Sequence, residues 1–184
     1  MARLLMQGLC CDNTTEYGED EIYIIVVGKY SNGDTFGYRL PGETTHWDMN
    51  DGGDKHCISN VDLATFDLNE GESISIVISI MEEDGGNPQK YTNIVAGILG
   101  STTNPYGIAA GTIISIIGNV LPHDSDDWIG TFACQISRQG NDLAVDWRPV
   151  NRVSGVINEI HGHNTCEFRM NGDGSNYVGW YHII

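Results

Sequence analysis

Basic residues are what this chain has least of: lysine and arginine together number 9 in 184 residues, against 25 aspartates and glutamates, for a formal charge of −16. A protein that binds nucleic acid must neutralise phosphates with basic patches, and none is present, so that class of partner is excluded. Direct attraction to anionic lipid falls with it, unless a metal ion bridges the two. Charged residues of both signs make up only 18% of the chain, so the acidic ones repel one another across a largely neutral background, most strongly at low salt. Bound divalent cations would relieve that repulsion.

Other absences narrow the field further. Met1-Ala2-Arg3-Leu4-Leu5-Met6 runs at once into polar and acidic residues, with no long apolar stretch or cleavage site. The expectation is a chain that starts at Met1 and is either cytoplasmic or exported by a non-classical route. The five cysteines, Cys10, Cys11, Cys57, Cys134 and Cys166, are odd in number and lack CxxC spacing. Buried free thiols are therefore expected in place of a zinc site or a disulfide framework. No G-x-S-x-G elbow, H-E-x-x-H helix or phosphate-cradling glycine loop occurs. Six histidines (His46, His56, His123, His161, His163 and His182) could serve as bases or ligands, and His161-Gly162-His163 sets two imidazoles close together. Nothing in the sequence makes them converge with carboxylates, so the chain reads as non-enzymatic.

What is present is a period of two. Segments 2–9, 21–29, 35–40, 72–81, 129–137, 143–148, 164–170 and 176–184 are rich in Ile, Val, Tyr, Phe and Trp and are bounded by Gly, Asn and Asp. Such a set predicts a mainly all-β chain, an antiparallel β-sandwich in one domain over 1–184. In SISIVISIM, alternation places Ile74, Ile76, Ile78 and Ile80 on one face, which must be deeply buried. Asn171-Gly172-Asp173-Gly174 supplies the turn of a terminal hairpin, with Asp173 a turn former and not a ligand. The stretch 92–121 departs from this pattern. It is nearly free of charge and is divided by the turn signal Thr102-Thr103-Asn104-Pro105, with Gly97 and Gly100 in one arm and Gly107, Gly111 and Gly118 in the other. An inserted apolar α-helical hairpin is expected there, ending before Pro122. Its second arm, Tyr106 to Leu121, is shorter than the ~20 apolar residues of a spanning helix, which favours packing on the sandwich over insertion into a membrane.

Acidic clusters sit in the predicted loops: EYGEDE (16–21), WDMNDGG (47–53), MEED (81–84) and HDSDDW (123–128). Acidic loops also serve plain solubility. Their coincidence with strand ends points instead to calcium, a hard cation that takes six to eight oxygens from several segments. Asp12 and Glu16 are secondary candidates. Asp48, Asn50 and Asp51 form either a separate site or an ordinary turn.

Three of these pieces together resemble a synaptotagmin-type C2 domain, a calcium-binding β-sandwich. Asp20-Glu21-Ile22-Tyr23-Ile24 is similar to that family's acidic entry to an aromatic strand, and Glu82 and Asp84 occupy D-x-D positions. Asp126-Asp127-Trp128-Ile129-Gly130 is similar to its D-D-(aromatic)-I-G run. In the family the last two pieces share one loop, so here the intervening stretch must be an insertion whose two feet stay adjacent. The resemblance implies a calcium site built from Asp20, Glu21, Glu82, Asp84 and Asp127. Three functional classes follow: a calcium-binding module that holds a partner through the metal, a self-assembling protein or homo-oligomer stiffened by calcium, and a toxin-like protein that releases the 92–121 hairpin. Membrane contact would arise only through the metal or that hairpin.

Overall fold

The computed structural model describes residues 1–14, 19–52, 56–83, 127–151, 153–154, 165–172 and 174–184. Among them the chain is all-β, with strands β1 (Ala2–Asn13), β2 (Asp20–Tyr30), β3 (Thr35–Leu40), β4 (Trp47–Met49), β5 (Cys57–Phe66), β6 (Ser73–Glu82), β7 (Asp127–Gln139), β8 (Asp142–Asn151), β9 (Val153–Ser154), β10 (Thr165–Gly172) and β11 (Ser175–Ile183). Two antiparallel sheets result. One runs β5-β1-β11-β10-β9, and the other runs β3-β2-β6-β7-β8 with β4 added beside β2.

The alternation in β6 settles how the second sheet faces the first. Ile74, Ile76, Ile78 and Ile80 are fully buried and join Ile22, Ile24 and Val26 of β2 in the core cluster, across a register that pairs Ile22 with Glu82 and Ile24 with Ile80. The other face of these strands is buried too: Tyr23, Ile25, Val27, Val77, Ser79 and Met81 are each at most 2% exposed. Burial on both faces explains why β2 reads as an almost unbroken apolar run. On the outer face the Ser79 and Thr131 hydroxyls lie 2.8 Å apart and satisfy one another.

β1 contributes Leu4 and Met6, then Leu9 and Cys11, to the same core. A register shift between Met6 and Gly8 inserts one residue in the ladder and restores the inward set after Gln7. Without that bulge the second half of the strand would turn its apolar side chains to the other face. Between the sheets, the Phe132 ring lies 4.6 Å from Phe168 and 4.4 Å from Tyr181, centroid to centroid. Tilted aromatic pairs of this kind add to the area they bury. The Tyr38 hydroxyl in β3 donates to the Leu63 carbonyl in β5, tying an edge of one sheet to an edge of the other.

All eight expected strands are present, and the terminal hairpin closes with Gly172 opposite Ser175 and Gly174 at φ 92°. β5 is the main addition. Its sequence, CISNVDLATF, is exposed or half-buried over its first six residues, so it carries little of the alternation that marks a strand. The expected helical hairpin at 92–121 lies outside the described residues.

One close approach fixes the sheet spacing. A Cβ on Gly172 would fall 2.4 Å from the Ile129 Cα and 2.4 Å from the Trp128 carbonyl oxygen, both backbone atoms. A Cβ on Gly130 would instead meet the flexible Met170 side chain at 2.8 Å. Gly172→Ala is accordingly expected to destabilise by about 3 kcal/mol and Gly130→Ala by about 1 kcal/mol, read from urea unfolding midpoints. Equal costs would show that β7 yields as easily as the Met170 side chain.

Candidate metal-binding end of the sandwich

Antiparallel pairing gathers the ends of several strands at one end of the molecule: the starts of β2, β7 and β11 lie with the ends of β1, β6 and β10. Asp20 opens β2 two residues before Ile22, so alternation turns its side chain inward with the core row. It is 0% exposed. Ser175 Oγ donates to Asp20 Oδ2 at 3.1 Å, and the Tyr177 hydroxyl donates to the same oxygen. These donors belong to β11, so one buried carboxylate links the two sheets. Its other oxygen, Oδ1, is buried without a hydrogen-bond partner among the described residues.

Glu82 closes β6 opposite Ile22 and is 2% exposed. Its partner on the other side is Asp127, so the two feet of the chain between β6 and β7 are cross-strand neighbours. Glu21, by contrast, alternates to the outer face of the sheet. There it shares His46 with Asp48 and Glu83, at 3.8, 3.3 and 3.6 Å respectively. Arg39 pairs with Glu83, lies 4.0 Å over the Tyr23 ring and donates to the carbonyls of Glu43 and Thr45. The expected five-carboxylate site is thus divided. Asp20 and Glu82 face inward, Glu21 sits beside His46 outside, and Asp127 is fixed by backbone register beside Glu82. Asp84 lies outside the described residues, as do Glu16, His123, His161 and His163.

The same end holds a cysteine pair that the sequence did not announce. Cys10 and Cys57 are cross-strand partners of β1 and β5 and form a disulfide. Free thiols were expected at both positions, and the reason for the difference is β5 itself, since without that strand nothing brings the two together. Cys11, Cys134 and Cys166 are buried free thiols, as expected. Among the described residues, Cys10, His56 and Cys57 are the group whose ligand atoms all lie within 4.8 Å of one another. No three described carboxylates come as close. Ser175 and Tyr177 were likewise not singled out, although the alternation in SNYVGWY places both on the face of Tyr181; their contact with a carboxylate at position 20 leaves no local trace.

Comparison with known proteins gives no matching family model, no matching curated sequence and no matching solved structure.

Burial raises several proton affinities around this end and core. Desolvation pushes the Cys11 thiol from 9.0 up to about 11, with the neighbouring Tyr177 hydroxyl opposing the rise and the negative field of Asp20 adding to it. Desolvation likewise lifts Tyr38 from 10.0 to about 12, and burial followed by the bond to Asp20 drives Tyr177 far above its ordinary range. Each folded value exceeds the unfolded one, so this stabilisation is complete below the ordinary value and drains away as pH rises through the folded value. The urea midpoint is expected to hold steady up to about pH 9 and to fall between roughly pH 9 and 12. Tyr38→Phe should shallow that fall, and an identical alkaline profile in the variant would contradict the assignment.

Proposed function

We propose that this protein is a non-enzymatic, C2-like calcium-binding β-sandwich module, its ion held at the acidic end and used for stability or for binding a partner or a second subunit. Asp20 carries this reading. A carboxylate removed from water needs its lone pairs satisfied or its charge paired, at a penalty of several kcal/mol otherwise. Oδ2 accepts two hydrogen bonds from the facing sheet, while Oδ1 has none among the described residues. Glu82 is buried on the same inward face of the neighbouring strand. Two carboxylates drawn out of water at one sheet end suit a hard divalent cation, which supplies the charge that neither donor on β11 brings. The ion would take Asp20 Oδ1 and the Glu82 carboxylate, with Asp127 as the next candidate and carbonyl or water oxygens completing its shell. Glu21 belongs to the outer cluster with His46 and is not required.

No catalytic step enters this reading. Its partner is calcium first, and whatever docks on the loaded end second.

Calcium at 100 times its Kd should add about 2.7 kcal/mol of stability, which for a chain of this size raises the melting temperature by roughly 5–10 °C. Asp20→Asn and Glu82→Gln should each remove that increment while still giving a cooperative melt without the ion. Magnesium, which demands tighter octahedral geometry, should raise it less. A melting temperature indifferent to calcium, or an increment kept in both variants, contradicts the proposal.

A further inference from the structure

We infer that Cys10, His56 and Cys57 form a redox-gated site for a thiophilic cation, zinc in the first instance: closed as a disulfide when oxidised, and a two-thiolate, one-imidazole site when reduced. This inference is independent of the calcium reading, since it uses other residues on the outer face of the other sheet. Cys11 points into the core, so Cys10, its neighbour in the strand, points out. Cys10 and Cys57 face one another directly, with Cα atoms 4.1 Å apart, and the ladder continues beyond them through the Cys11 amide donating to the His56 carbonyl at 2.9 Å. That bond pins the His56 backbone beside the sulfur pair.

The imidazole makes this more than a structural crosslink. His56 Nδ1 is buried and has no hydrogen-bond partner among the described residues, and a ring nitrogen of His56 lies within 4.8 Å of both sulfurs. A nitrogen held out of water without a donor or acceptor suits metal ligation. Tetrahedral zinc takes sulfur at ≈ 2.3 Å and nitrogen at ≈ 2.0–2.1 Å, which places two ligating sulfurs about 3.8 Å apart. Two cysteines opposite one another on paired strands can span that distance by side-chain rotation alone. The fourth position falls to water.

The chemistry balances with a dithiol as reductant. The dithiol passes two electrons and two protons to the Cys10–Cys57 bond and closes to its own disulfide, leaving two thiols; each thiol releases its proton as its sulfur binds the metal. Cys57 is exposed, so an attacking thiolate can reach it. The remaining thiols, Cys11, Cys134 and Cys166, are buried and do not compete.

The test uses the full chain, oxidised or reduced with a dithiol that is then removed, and titrated with cobalt(II) and zinc. Reduced protein should bind one equivalent and give a thiolate-to-cobalt charge-transfer band that zinc bleaches. Oxidised protein should give none. His56→Gln, which keeps both cysteines, should weaken zinc binding at least about tenfold, and Cys57→Ser should abolish the band. Should reduction loosen the chain, zinc should restore the native melt. The inference is overturned by a reduced protein without the band, by a band that persists in Cys57→Ser, by unchanged affinity in His56→Gln, or by a reduced, loosened chain that zinc does not restore. A calcium response surviving in these variants would leave the reading of the Asp20 site untouched.

Discussion

Closure of the two sheets over one shared apolar row is the constraint from which the rest follows. Ile74 to Ile80 of β6 and Ile22 to Val26 of β2 face Leu9, Phe168 and Tyr181 across the interior, and burial at about 25 cal/mol per Å2 of apolar surface drives that closure. The inward row does not stop where the apolar residues stop. Continued by two positions on β2 it takes in Asp20, and by two on β6 it takes in Glu82. The same packing that stabilises the core therefore draws two carboxylates out of water. Donors from β11 satisfy half of one of them.

The charges left over are sorted by the alternation of the strands. Inward positions at this end hold acidic side chains and neutral hydroxyl donors, whereas outward positions bring Glu21, Asp48 and Glu83 to His46 and Arg39. On the outside, then, the acid has side-chain partners within the protein: Arg39 holds Glu83 largely out of water, whereas Glu21 and Asp48 meet His46 at part-exposed positions, where such pairs contribute little. On the inside, Asp20 receives neutral hydroxyl donors from Ser175 and Tyr177. The asymmetry between the two faces explains why residues adjacent in sequence, Asp20 and Glu21, have different surroundings.

Much of this was legible in the sequence. Serine–isoleucine alternation gave β6 and its buried face, and the Asn-Gly-Asp-Gly turn gave the β10–β11 hairpin. That the two feet of the stretch after Glu82 stay adjacent was implied only by the C2 resemblance, and the ladder pairs Glu82 with Asp127. What escaped detection depends on contacts between distant segments. β5 is an edge strand with polar residues on its exposed part, so its pairing with β1, and with it the Cys10–Cys57 bond and the place of His56, leaves no periodic mark. The acidic strand entry of the C2 resemblance covers both Asp20 and Glu21, whereas strand alternation separates these neighbours to opposite faces.

The central claim is that the unpartnered oxygen of Asp20 meets a calcium ion, and the most direct measurement observes that carboxylate itself. In protein labelled with carbon-13 at the aspartate side-chain carboxyl, with Asp20 assigned by substitution, the Asp20 resonance should move or split on adding calcium and return on chelation. An Asp20 resonance that stays in place while calcium is saturating, or that moves no more than those of exposed aspartates such as Asp34 and Asp62, would contradict the account.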